Sequence, residues 1–208
     1  MKKLLNFPIL VFIIVTYVFF NPLFFQAKFP IPSDTIVGLY FPYRDLYAKD
    51  YPRGIPFKNF QITDPVRQQY PWKMLSVDIF KKAELPLWNP YNFAGTPLLA
   101  NFQSAVFYPL NLILFLFPFH IGWSILIILQ PLLAMIFMFY FLRNLKLSIE
   151  SSIFGGLSFA FCGFFVSWME WGNVVSTGLW LPLVLLSIDK VFYWFNEEKT
   201  KLQFKIQN

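Results

Sequence analysis

Hydrophobic positions along this chain fall into long uncharged runs, not into the short alternations of a soluble fold. A helix needs roughly 20 apolar residues to cross the ~30 Å hydrocarbon core, because lipid offers no partner to backbone N–H and C=O groups. Residues 4–27, 119–142, 151–169 and 171–188 meet that requirement and are predicted as spans. Lys2 and Lys3 precede the first, Arg143 and Lys146 close the second, and Asp189 and Lys190 close the fourth. The first run reads as an uncleaved anchor in preference to a signal peptide: it is long for a signal core, and "PLFFQAKF" has no clean small-x-small cleavage site. Pro131 and Pro182 are predicted kinks in the second and fourth spans.

The remaining pattern belongs to residues 28–118. Residues 28–84 are charged and punctuated by proline, whereas 85–118 contain no charged side chain. In "PWKMLSVDIFKK" Trp72, Leu75, Ile79 and Phe80 recur near helical spacing with charges opposite, which predicts an amphipathic interfacial helix. "FYPLNLILFLFPFH" is apolar but too short to span and is bounded by prolines, so it is predicted to lie along the interface or to re-enter. "LWNPYNFAGTPLLANFQ" reads as irregular backbone, which membrane depth tolerates only where it is buried in protein or lines a cavity. Asn89, Asn92, Asn101, Gln103 and Asn111 are costly against lipid and are expected to point inward or to water. The expected fold is therefore an all-α polytopic membrane protein with about four transmembrane helices and a long external first loop containing interfacial helices. Its parts are a first helix (1–27), the loop (28–118), three further helices (119–195) and a tail (196–208).

Composition reinforces this. At 57% hydrophobic, 22% aromatic and 13% charged, the 208 residues carry more apolar surface than a soluble domain of this size buries. The net charge of +6 would suggest nucleic acid in a soluble protein, but much of it flanks apolar runs, where Lys and Arg set topology, so no nucleic-acid role is expected. Lys2, Lys3, Arg143, Lys146, Lys190, Lys199, Lys201 and Lys205 would share one side, while "WMEWGNVVST" has no Lys or Arg. Both termini are thus expected in the cytoplasm and residues 28–118 outside. The single cysteine, Cys162, permits neither an intrachain disulfide nor a cysteine metal cluster.

Candidate chemistry lies in the loop. Asp34, Tyr40 and "FPYR" are echoed by Asp64, Tyr70 and "PWK", each a carboxylate, a spacer, an aromatic–proline turn and a cation. Chance accounts for such an echo as readily as a shared role beside an anionic headgroup. The neutral stretch 85–111 is expected to form a folded wall over a membrane cavity, with Trp88 and Tyr91 either packed or lining an open site. Amides paired with hydroxyls, and aromatic rings stacked on C–H faces, suit carbohydrate; a purely structural plug is the other reading. Glu170 is the one acid on the turn between the third and fourth spans, either facing the same cavity or solvated. His120 reads as an interfacial anchor.

The strings "DPVRQQYPW", "LPLWNPYNFAGTPLLANFQSAVFYPLNL" and "LKLSIESSIFGGLSFAFCGFFVSWMEWGNVVSTGLWLPLVLL", in that order, resemble the N-terminal part of bacterial YfhO-type membrane proteins, of the GT-C class of glycosyltransferases. The resemblance implies an enzyme of the bacterial cell membrane that transfers a sugar from a polyprenyl-phosphate-linked donor to an acceptor on the outer face. It implies a catalytic base in the first external loop, carried by Asp64 in the matching string or by Asp34 shortly after the first span. Cations such as Arg67, Lys73 and Arg44 would stabilise charge on the phosphate, and the neutral, amide-rich surface itself offers Trp88, Asn89, Asn92 and Gln103, with Glu170 if it faces the same cavity, as further substrate contacts. One carboxylate plus phosphate oxygens could hold a divalent cation in the ternary complex. Members of that class have more spans, so a complete site would draw on helices from a continuation or a companion chain. The competing expectation is a non-catalytic membrane scaffold or a lipid-binding subunit. A transporter is disfavoured because the runs show no inverted repeat.

Overall fold

The structure, a computed structural model, describes residues 2–55 and 62–207, with side chains over 6–55 and 62–196. The side chains of Lys2, Lys3, Lys199, Lys201 and Lys205, used in the topology argument, lie outside the described residues. The fold is mostly helical, in the order α1 (Lys2–Phe19), α2 (Asn21–Gln26), α3 (Asp34–Leu39), α4 (Tyr43–Leu46) and α5 (Tyr70–Phe80). A two-stranded hairpin of β1 (Trp88–Asn89) and β2 (Thr96–Pro97) follows, then α6 (Ile113–Leu116), α7 (Phe119–Asn144), α8 (Ile149–Ala160), α9 (Gly163–Trp168), α10 (Val174–Gly178) and α11 (Leu181–Gln207).

Among the described residues, two helical stretches are long and apolar enough to cross a membrane, α7 and Val174–Asn196. The chain is on this basis a helical membrane protein. Helices α8 and α9 pass the same test only as a pair, bent by 42° at their break, and the apolar part of α1, Asn6–Phe19, is shorter. The predicted run 4–27 is broken at Phe20 because Pro22 has no N–H to donate to the preceding turn, so α2 starts afresh at Asn21 with Pro22 in its first turn. Pro131 sits inside an uninterrupted α7. Pro182, predicted to kink a span, lies in the first turn of α11, just after the interruption that separates α10 from α11. Asp189 and Lys190 do not end that helix: the Glu, Lys, Gln and Leu that follow are good helix formers, and α11 runs 27 residues.

The chain divides into two compact units. One contains residues 1–19, 130–166 and 176–208. Its interior is built on a stripe of small residues on α8: Ser152, Gly156 and Ala160, spaced one turn apart and all buried. A Cβ on Gly156 would lie 2.9 Å from the Met135 carbonyl oxygen of α7 and 3.3 Å from the Phe12 ring of α1, so the backbones approach as only glycine allows. Phe12 is edge-on to Phe139, with centroids 5.9 Å apart. Ser148 caps α8 by accepting the Ser151 N–H at 3.1 Å.

The other unit contains residues 20–129 and 167–175. Its core is Trp123, buried with Phe20, Ile127 and Met169 and flanked by Ile31, Tyr70 and Phe119. The Trp123 indole N–H donates to the Pro30 carbonyl at 3.3 Å. A second cluster joins Val77 of α5 to Leu114 and Leu126. The "FYPLNLILFLFPFH" stretch forms a short 3-10 turn, Pro109–Leu112, and α6, ended before Pro118. The stretch read as irregular does contain one regular element, the hairpin pairing Trp88 with Pro97 and Asn89 with Thr96.

Candidate functional site

A π-helical turn, Pro65–Gln69, runs directly into α5. Such turns are rare and concentrate at functional sites. The expected amphipathic helix is present but its sides are not as predicted. Lys73, placed by its charge on the solvent face, is 2% exposed, and Gln69, Ser76 and Val77 are buried with it on one helical face. The correction has a physical cause: this face packs on a polar neighbour, residues 98–111.

Two amides there receive the buried groups. Gln69 donates through Nε2 to Gln103 Oε1 at 3.2 Å, and Lys73 Nζ donates to Asn111 Oδ1 at 3.2 Å. Asn111 is itself fixed by donating through Nδ2 to the Ala105 carbonyl at 2.6 Å. Ser104 locks the same segment by bonding the Leu98 and Asn101 carbonyls. The Tyr108 ring centroid lies 5.9 Å from Lys73 Nζ, a weak cation–π contact. Among the described residues no carboxylate lies within ion-pair range of Lys73, and burial pulls its pKa down from 10.5 to about 8. Gln69 Oε1 is buried and accepts no hydrogen bond. A buried acceptor without a donor, one turn from a buried cation without an anion, is an arrangement that a hydroxyl-bearing or anionic group would complete.

The predicted site residues are distributed around this centre. Asp64 immediately precedes the π turn and accepts from Gln68 Nε2 at 3.4 Å. Arg67, on that turn and in the spacer of the second echoed segment, stands over the Tyr40 ring of the first at 5.4 Å. Asp34 opens α3, where an acid in the first turn suits the helix dipole. Glu170 lies on the 3-10 turn Met169–Trp171, which packs against the π turn. Arg44 pairs with Asp45 at 3.0 Å, exposed and apart from these contacts.

Trp88 and Tyr91 are not packed: they are 52% and 82% exposed, which removes the reading in which both are buried in a wall. Trp88 lies over Gly95, whose φ of +118° and missing Cβ make room for the indole. Asn89 is buried by the turn, donating to Asn92 Oδ1 at 3.1 Å and accepting the Tyr91 N–H at 2.9 Å. Both amides thus serve the turn. Gln69 was not among the predicted site residues, and Asn111 was predicted only as one amide of five. The available signal was polar residues at i and i+4, Gln69 and Lys73, on a face that an interfacial helix would keep apolar.

Comparison with protein-family models, curated proteins and solved structures found no match to this chain.

Proposed function

We propose that this chain is a membrane glycosyltransferase of the GT-C class, or the N-terminal portion of one, resembling the YfhO type. It would transfer sugar from a polyprenyl-phosphate donor on the outer face. One observation supports the reading: the string "QQYPW" with the adjacent Lys73 folds on the string "NFQSAVFYPLN" through Gln69–Gln103 and Lys73–Asn111 and leaves the buried Gln69 Oε1 without a donor.

The chemistry assigns Asp64, or its rival Asp34, as general base. The acceptor hydroxyl loses its proton to the carboxylate while its oxygen attacks the anomeric carbon, and the bond from that carbon to the lipid phosphate breaks. Correctly placed base assistance contributes typically ~10²–10⁴-fold. Arg67, and Lys73 at its buried position, would stabilise charge on the departing phosphate. A divalent cation would take one carboxylate and phosphate oxygens.

In membranes holding the complete assembly and a panel of polyprenyl-phosphate hexoses, Asp64→Asn is expected to abolish sugar release with unchanged protein level. Asp34→Asn is the control: loss there alone moves the base to Asp34. Normal transfer by both variants would leave the non-catalytic reading, a scaffold or lipid-binding subunit.

The site model requires residues 28–118 to be external. The four spans would then be α1–α2, α7, α8–α9 and α10–α11. The Asn144–Asp189 hydrogen bond supports this by setting α7 and α11 in the same direction with their charged residues at one end. Topology reporters fused after residue 60, which lies outside the described residues, or after residue 173 are expected outside. Those after 147 or 200 are expected in the cytoplasm. A cytoplasmic signal from the fusion at 60 removes the site model as well.

A further inference from the structure

A second feature lies away from this loop, between one face of α7 and one face of α11. Phe137, Tyr140, Arg143 and Asn144 from α7, with Leu186 and Lys190 from α11, line an open groove of about 520 Å³. The spacing is helical on both sides, so each helix contributes a single stripe. The groove grades along its length from Ile136, Phe137 and Leu183 at one end to Arg143, Asn144 and Lys190 at the other.

The lining of the charged end holds two cations, Arg143 and Lys190, and no carboxylate. Asp189 is engaged by the Asn144 side-chain amide, and Arg143 gives one N–H to the Leu147 carbonyl, which leaves its other guanidinium donors free. Glu150, whose carboxyl is stabilised first by a backbone N–H, then by Ser148 and least by Arg143, does not line the groove. Both helical stretches have the length and apolarity of membrane spans, so in a bilayer the apolar end of the groove would face acyl chains.

We propose that this groove binds one anionic diacyl phospholipid. An acyl chain lies against Phe137 and Leu186, and the phosphodiester sits between Arg143 and Lys190. Charge complementarity selects the headgroup: guanidinium presents a fork matched to phosphate oxygens, and basic pockets between transmembrane helices bind anionic headgroups. The apolar floor selects a lipid over a free phosphate. The inference rests on the spanning role of α7 and α11 and is independent of sugar transfer.

The test is native mass spectrometry of the delipidated full chain in detergent, titrated with phosphatidylglycerol and with phosphatidylcholine of identical acyl chains. One phosphatidylglycerol is expected to be retained at least tenfold more tightly, and the Arg143→Gln/Lys190→Gln double variant to hold both lipids equally. Leu186→Trp, which fills the apolar floor, is expected to weaken both lipids. Because Arg143 and Lys190 are exposed, the single Lys190→Gln variant provides a second reading and should lose part of the preference. Equal retention of the two lipids by the unaltered chain overturns the proposal. So does undiminished phosphatidylglycerol binding by the double variant, or binding of glycerol phosphate as tight as that of the lipid.

Discussion

Trp123→Ala is expected to destabilise the protein by about 3–5 kcal/mol, measured by equilibrium unfolding in mild detergent. The indole is 1% exposed and touches elements far apart in sequence: Phe20, Ile127 and Met169 pack around it, and Tyr70 lies 5.2 Å from it. Its N–H holds the Pro30 carbonyl, and Gly172, at φ +67°, approaches so closely that a Cβ there would be 2.9 Å from the ring. Alanine leaves a cavity bounded by these groups and an unpaired carbonyl. Trp123→Phe retains an aromatic body and should recover most of the loss. A cost below about 1 kcal/mol for alanine would mean that the cluster is not a core.

The buried lysine gives the second large effect, and its sign is fixed by linkage. Lys73 has a folded pKa of about 8 against 10.5, so between those values the unfolded chain binds more protons and stability rises with pH. Below about pH 8 both states are protonated and the full penalty of burying the charge is present, about 3 kcal/mol. Lys73→Met is expected to remove the rise between about pH 8 and 10.5, isolating it from other titrations in that range. Asn111→Leu acts in the opposite direction, stranding the ammonium and freeing the Ala105 carbonyl, with an expected loss of about 3 kcal/mol or more at pH 7. Parallel pH profiles for the parent and Lys73→Met would exclude a charged, buried Lys73.

Elements set by local chemistry were legible from sequence. The run at 119–142 became α7 because its apolarity is continuous. Where proline met an apolar run, hydropathy alone failed: the break at Phe20, just ahead of Pro22, is a backbone effect that an average over residues conceals. Helix α5 was legible as a helix but not in orientation. Whether Lys73 faces water or protein depends on Asn111, 38 positions away, and Gln69 depends on Gln103, 34 away. The Trp123–Pro30 bond spans 93 positions. No periodicity encodes such partners. The hairpin was hidden for a different reason: its two-residue strands are too short to show alternation, and its neutral aromatic turn looks the same whether Trp88 is packed or exposed.

The two adjacent glycines of α8 differ in what sequence drift could do to them. A Cβ on Gly155 would meet Leu142 Cδ1 at 2.3 Å, the far end of a flexible side chain, so a smaller residue at 142 would open the way to alanine or serine at 155. At Gly156 the obstacle is the carbonyl oxygen of Met135, and a backbone atom cannot be exchanged by mutation. Position 155 is therefore free to vary once 142 has changed first, a path whose order matters. Position 156 has no compensating partner and stays glycine for as long as α7 and α8 keep their present spacing.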